Sequence, residues 1–264
     1  METLLPLQQH PNFARALRRI GAPVHVIDVA GAHPVHVIRR FGVNYAARGP
    51  VWREEPNAQT LRAARLRLIN SNGADTHALY AAGFRQVMTP ATVAELPIFP
   101  DHCQMITRMQ AKWRNIWRRA QDTPLVFSHR PFHAEKHAWL LHADLAQQKR
   151  KSFRALPHGI IHGYPAQDTR IWQAHLDGEP AAGMLFLRHG NIATYHLGYA
   201  GMTGRKYGAH HAMLMQAAHW FAQQDVTQID LGLLDTENTP GLARFKIGSG
   251  AVAHKLGGTW LRLR

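Results

Sequence analysis

Only one cysteine, Cys103, stands in the 264 residues. A single thiol closes no internal disulfide and builds no cysteine-rich zinc site, so the fold rests on packing and a reducing compartment is expected. With no flanking nucleophile signature, Cys103 is expected to be buried and inert. Acidic residues are also scarce, 17 against 31 Lys and Arg, which leaves a formal charge of +14. That excess favours anionic partners but selects no activity by itself. No apolar run reaches 18 residues, which excludes a spanning helix of ordinary length. Met1 to Pro6 show no basic stretch leading into an apolar one, so no secretory signal is expected and a cytoplasmic location is. At 45% apolar residues, the chain has enough to bury a full core, which excludes disorder.

Three short apolar runs come early, Val24 to Val29, Val35 to Phe41 and Val43 to Ala47, parted by Gly31-containing and Gly42 turns. They read as a β-meander. Pro56 follows, with Glu54 and Glu55 before it, and predicts a helix over Ala58 to Ile69. The order returns later: strands Arg170 to Leu176, Ala181 to Arg188 and Ile192 to Tyr199, joined by turns at Asp177-Gly178-Glu179-Pro180 and His189-Gly190-Asn191. A helix from about Tyr207 to Gln223 is predicted next, then a strand Gln228 to Leu233, a helical segment Leu242 to Ile247 and a terminal strand including Leu256 to Leu263. Two copies of one supersecondary unit suggest an internal duplication.

Leu96-Pro97-Ile98-Phe99-Pro100 reads as the linker between the copies, giving domains 1–97 and 98–264. The first holds 11 cations and 6 acids, a balance of +5; the second holds the remaining 20 and 11, a balance of +9. The second is the better anion binder. Past the linker, Gln104 to Ala120 carries Met105, Met109, Trp113, Ile116, Trp117 and Ala120 on one helical stripe, with Arg108, Lys112, Arg118 and Arg119 largely off it. This is a core stripe beneath a solvated basic face.

Between the second meander and its helix lies Gly201-Met202-Thr203-Gly204-Arg205-Lys206-Tyr207-Gly208-Ala209-His210-His211. Glycines before a helix N-terminus let a phosphate approach unpaired N–H groups, and Arg205 and Lys206 add charge there. The equivalent junction in the first copy, Arg48 to Pro56, holds Glu54, Glu55 and two prolines instead. Only the second suits a phosphorylated ligand. An ordinary strand-to-helix turn remains the alternative.

This loop, with Ile229-Asp230-Leu231-Gly232 and Gly241-Leu242-Ala243-Arg244-Phe245-Lys246-Ile247-Gly248-Ser249-Gly250-Ala251 after it, resembles the C-terminal half of FemAB-type transferases of the GNAT acyltransferase superfamily. Tyr45 to Val51 is similar to that family's R-G-P segment, and Lys112 to Ala120 to its basic helix. Arg205 to Ala209 match the GNAT pyrophosphate loop [RQ]-x-x-G-x-[GA] until His210 takes the last small position, and no Tyr follows Tyr207. The resemblance implies an α/β (α+β) fold of two tandem GNAT-like units, each a mixed, mainly antiparallel sheet flanked by helices. It implies transfer of an acyl or aminoacyl group to an amine, with acyl-CoA or aminoacyl-tRNA as donor co-substrate and no tightly bound cofactor. Donor contacts then fall to Gly204, Arg205, Lys206, Tyr207, Gly208 and Ala209. Acceptor or substrate contacts fall to Arg48, Tyr195, Arg244, Phe245 and Lys246, and proton transfer to Asp230, Asp235 or His210. A peripheral membrane surface and tRNA stay open as partners. The other class in view is a non-catalytic nucleic-acid-binding or adaptor protein using the same basic surface.

His129, His133 and His137 recur every four residues, but Pro131 interrupts any helix and no carboxylate or thiol completes a set. No metal is expected there or at His158 and His162.

Overall fold

The computed structural model describes residues 4–151 and 155–263. In chain order the elements are α1 (Pro11–Arg19), β1 (Val24–Ile27), β2 (Val35–Arg40), β3 (Val43–Ala47), α2 (Ala58–Ala63), β4 (Leu68–Ser71), α3 (Thr76–Ala81) and β5 (Arg85–Met88). Then come β6 (Thr92–Pro97), α4 (His102–Arg108), α5 (Ala111–Gln121), β7 (Val126–Pro131), α6 (Ala138–Lys151) and α7 (Gly159–Gly163). The remainder is β8 (Thr169–Leu176), β9 (Glu179–His189), β10 (Ile192–Ala200), α8 (Met202–Lys206), α9 (Ala209–Ala222), β11 (Gln228–Leu233), α10 (Pro240–Gly248), β12 (Val252–Lys255) and β13 (Gly258–Leu261).

Two compact units result. Unit 1 comprises Met1–Val93, Gly159–Tyr164 and His254–Arg264; unit 2 comprises Ala94–His158 and Pro165–Ala253. The sheet order in unit 1 is β1-β2-β3-β4-β13-β5, and the second sheet runs β12-β6-β11-β10-β9-β8-β7. Each sheet holds an antiparallel meander followed by a parallel neighbour, β3 with β4 and β10 with β11. Each also takes one strand from the far side of the sequence. β6 follows β5 along the chain yet lies between β11 and β12, and β13 follows β12 yet lies between β4 and β5.

This exchange explains three departures from the sequence reading. The stretch expected as a linker contains the end of β6, with Leu96 and Ile98 buried in the unit 2 core. The single terminal strand is two strands in different sheets, because Gly257 and Gly258 break it and Gly258 adopts φ +85°. A single cut at residue 97 therefore describes neither sheet. Residues 159–164 return to unit 1 because Gly163 lies directly on the Ala16 backbone, where a side chain would collide, and Arg19 donates to the Gly163 carbonyl at 3.2 Å.

Local chemistry sets the other boundaries. The Asp177-Gly178 pair takes φ +51° and +85°, the two-residue turn whose twist suits a hairpin, so β9 already begins at Glu179. Asn57 caps α2 by accepting from the N–H groups of Gln59 and Thr60. The predicted helix to Ile69 stops at Ala63. Its last carbonyls are taken by the Arg262 guanidinium, and Leu68–Ser71 alternates half-buried with buried as a strand. The predicted helix over Gln104–Ala120 is broken into α4 and α5 at Met109 and Gln110, whose N–H is held by the Gly248 carbonyl. Its apolar stripe points inward as expected, with Met105, Met109, Trp113 and Ala120 buried. Cys103 is exposed, correcting the expectation of a buried thiol: it sits in the first turn of α4, where Asp101 caps its N–H, and off the Met105 face. Trp172, Phe186 and Phe221 centre the unit 2 core, and Leu61, Ile69, Phe84 and Trp260 that of unit 1.

Candidate active site

β10 and β11 pair in parallel only from Ile192–Thr194 against Gln228–Asp230. Between Tyr195 and Leu197 a bulge shifts the register of β10, which then follows β9 to Ala200 while β11 runs on to Leu233. A bulge twists its strand and ends pairing on one side. The two strands part in the middle of the sheet. Beyond this point the chain forms α8, turns through Gly208 and starts α9.

The helix predicted from about Tyr207 to Gln223 is α9, Ala209–Ala222, and the glycine loop before it is itself partly helical, as α8. Gly208, at φ +67°, makes the break. A β-carbon at Gly204 would strike the Ala181 carbonyl, and one at Gly208 would strike the Ile116 side chain. Both glycines serve close packing of the loop onto β9 and α5.

A cleft of about 490 Å³ opens here, lined by Tyr195, Arg205, Gly208, His210, His211 and Phe245 together with small residues of β10, α8 and α10. Tyr195 lies across Gly198, where any β-carbon would strike its hydroxyl. Burial, with the Asp144 carboxylate nearby, holds the Tyr195 phenol far above its usual range, so it stays a neutral donor. The ring of His211 stands 4.7 Å from that of Trp113 and meets Phe245 edge to face at 5.1 Å. Burial, then the neighbouring His210, pushes its pKa down to about 4. His210 is lowered too, chiefly by burial and further by Arg205, against the opposing carbonyls of Tyr199 and Gly183. Its Nε2 lies 3.1 Å from the Tyr199 carbonyl oxygen. A carbonyl only accepts, so Nε2 carries the proton and Nδ1 of the neutral ring is left as an acceptor.

The expected donor residues divide. Gly204, Arg205 and Gly208 reach the cleft; Lys206 and Tyr207 line a neighbouring recess of about 390 Å³ with Arg119, Asp122 and Thr123. Lys206 places its ammonium 5.2 Å from the Tyr207 ring centre. Ala209 is fully buried and packs. Arg244, Phe245 and Lys246 point three ways, as neighbours about 100° apart on a helix must. Phe245 faces the cleft, Arg244 is exposed, and Lys246 is buried with Nζ donating to the Leu233 carbonyl at 2.7 Å. Burial lowers the Lys246 pKa to about 8, with the Asp230 charge opposing.

Asp230 is buried and its Oδ1 accepts the Gly232 N–H at 2.7 Å. Asp235 holds the turn into α10, Oδ1 accepting from the N–H groups of Glu237 and Asn238 and Oδ2 from the Asn238 amide. Those bonds, those from Asn238 first, hold its carboxyl below the usual range. Neither carboxylate is among the residues lining the cleft. Arg48 lies in unit 1, buried at φ +50°, its Nε donating to Asn72 Oδ1 at 3.0 Å.

The spaced histidines fall apart as a set. His129 is on β7 and stacks on Trp172 at 5.2 Å, and His137 Nδ1 accepts the His133 N–H at 2.8 Å. His158 Nε2 instead meets Asp144 Oδ2 at 2.8 Å, and that oxygen also accepts from the Gln148 amide at 2.6 Å. No group of three or more His, Cys, Asp or Glu suited to a metal occurs among the described residues. No described helix is long and apolar enough to cross a membrane.

Gln147, Gly198, Ala200, Gly241 and Leu242 complete the cleft without having been singled out from sequence. Gly241 and Leu242 open the segment that carries the Phe-Lys motif, the one signal that could have indicated them. Gln147 comes from α6, 48 positions before Tyr195, with no motif around it.

The family model described as an acetyltransferase (GNAT) domain matches residues 97–246. A search of curated proteins finds no match. Among solved structures, FemX shares 13% identity over 96% of this chain and 93% of its own, with a TM-score of 0.73. A protein named as the C-terminal domain of a lysylphosphatidylglycerol synthetase, from Agrobacterium fabrum, shares 13% over 98% and 89%, with a TM-score of 0.64. L-PGS from Bacillus licheniformis shares 13% over 99% and 94%, with a TM-score of 0.59. At such identity the likeness is one of fold, and the family match carries the assignment: the chain belongs to the acetyltransferase (GNAT) domain family and is an acyltransferase.

Proposed function

We propose that unit 2 transfers an acyl group from a thioester such as acyl-CoA to an amine, with the donor in the cleft beside the parted strands. The observation that carries this reading is the combination in one cleft of a cation, Arg205, with a neutral imidazole, His210, whose Nε2 proton is committed to a carbonyl. The amine nitrogen attacks the thioester carbonyl, the C–N bond forms, the C–S bond breaks, and the sulfur leaves as thiolate. His210 Nδ1 takes the proton released by the attacking nitrogen. Arg205 holds donor phosphate. In this reading Asp230 and Lys246 shape the end of β11 rather than exchange protons with substrate, and Asp235 orders the turn before α10. Arg244 remains free for an anionic part of either substrate.

Replacing Arg205 by Ala is expected to weaken coenzyme A binding about ten- to hundredfold by calorimetry at fixed salt. Lys206→Ala, altering the neighbouring recess, is expected to change it less than threefold. Equal affinity for the parent and Arg205→Ala would reject this donor site. His210→Gln, whose amide reaches the position of Nε2 and can still donate to the Tyr199 carbonyl, is expected to lower turnover about 10²-fold while leaving coenzyme A affinity in place.

A specific observation favours aminoacyl-tRNA as the second reading. Lys112, Asn115, Ile116, Arg118 and Arg119 line an open groove along α5, and Ile116 and Arg119 continue into the recess holding Lys206. Transfer that ribonuclease abolishes would establish that donor instead. Nucleic-acid binding with a steep salt slope and no turnover of either donor would favour the binding-module alternative.

A further inference from the structure

Four glycines line the cleft, and three are required by packing. A β-carbon at Gly198, Gly204 or Gly208 would strike Tyr195, Ala181 or Ile116. Gly241 differs. A β-carbon there meets nothing within 4 Å, and its φ lies outside the left-handed region that favours glycine. It occupies the first turn of α10 behind Pro240, where glycine is a poorer helix former than alanine. Neither backbone conformation nor packing accounts for the missing side chain, so what its absence provides is space.

The surroundings define what would fill that space. Gly241 and Phe245 are four residues apart and share one face of α10, with Leu242 beside them, and all three line the cleft. Leu242 is 42% exposed, an apolar side chain left uncovered at the cleft wall. Arg205 lies on α8 and not on this wall.

We infer that Gly241 sets the size of the acyl group, and that the wall of Gly241, Leu242 and Phe245 takes an apolar acyl chain longer than acetyl. This rests on the thioester reading above. The added methylenes of such a chain lie on Leu242 and the Phe245 ring, leaving water as they do so.

The test uses coenzyme A, acetyl-CoA and hexanoyl-CoA as probes, with binding measured by calorimetry on the full chain. The parent is expected to bind hexanoyl-CoA about tenfold or more tighter than acetyl-CoA. Gly241→Leu is expected to abolish that preference, read as the ratio of hexanoyl-CoA to acetyl-CoA affinity within each variant, and Gly241→Ala to reduce it partway. The alanine variant keeps the test readable should leucine disturb α10. A hexanoyl preference retained in both variants, or absent from the parent, would overturn the inference alone. Failure of the parent to bind any of the three probes would overturn the thioester reading and the inference with it.

Discussion

Trp260→Ala is expected to destabilise unit 1 by about 3–5 kcal/mol, the usual cost of removing a large buried aromatic from a core. Trp260 is 7% exposed and lies on β13, which pairs with β4 on one side and β5 on the other. Its indole N–H donates to the Gly257 carbonyl at 2.8 Å, so alanine also leaves that acceptor unmatched. Two residues on, the Arg262 guanidinium donates to the carbonyls of Leu61, Arg62, Ala64 and Leu66 and lies over the Phe84 ring. The last strand thereby closes the first sheet and caps α2. Hydrogen exchange resolves the outcome by location: protection should fall in β4, β5 and α2, while β8 to β10 keep theirs. Loss spread first through the second sheet would mean that β13 does not belong where the pairing puts it.

Acidification is expected to cost a comparable amount, and in unit 2. Burial holds His196 and His211 at about 4, against 6.5 for a free imidazole. At pH values between these, each of the two imidazoles is protonated in the unfolded chain and neutral in the folded one, and His129, His137, His175 and His210, also lowered by burial, add in the same direction. Stability therefore falls as pH drops through 6.5 toward 4, by up to about 1.4 kcal/mol per pH unit for each imidazole. Over the window the pair approaches about 5 kcal/mol, enough to remove most of a typical domain's stability. In unit 1 the buried Asp75 works in the opposite direction, since burial raises its carboxyl. Urea denaturation at pH 7, 5.5 and 4.5, read by exchange in unit 2, measures the slope. His211→Phe keeps an aromatic ring against Trp113 and Phe245 and takes no proton. It should lower the slope by up to about 1.4 kcal/mol per pH unit, and an unchanged slope would show that His211 takes no part in it.

Much of the cleft's lining was legible in the linear chain because the glycine loop is local. Gly204, Arg205, Gly208 and His210 sit within seven residues, and strand, turn and helix signals on either side place them at one junction. Phe245 was legible through its motif. The same closeness in sequence does not tell which way a side chain faces. Lys206 and Tyr207 follow Arg205 directly but face another recess, and Lys246 follows Phe245 but turns inward to the Leu233 carbonyl. Asp230 and Asp235 stood in the right order along the chain, yet both bind their own backbone turn. Short-range hydrogen bonds of this kind are frequent for Asp, and the sequence carries no sign of which acid is left free.

The amino-acid sequence by itself determined the duplicated plan, the two meanders with their Asp-Gly and glycine turns, the strand Gln228–Leu233, and the single glycine loop in the half with the larger positive charge. These follow from periodicity and turn chemistry, which act over a few residues. Only the tertiary structure decided that β6 and β13 enter sheets away from their chain neighbours, that β10 and β11 part after Thr194 and Asp230, and that Gly241 faces open space. The physical reason is the same in each case. A strand's partner depends on which exposed edge it completes, and a side chain's role on what stands opposite, so both are settled by residues far away in the chain.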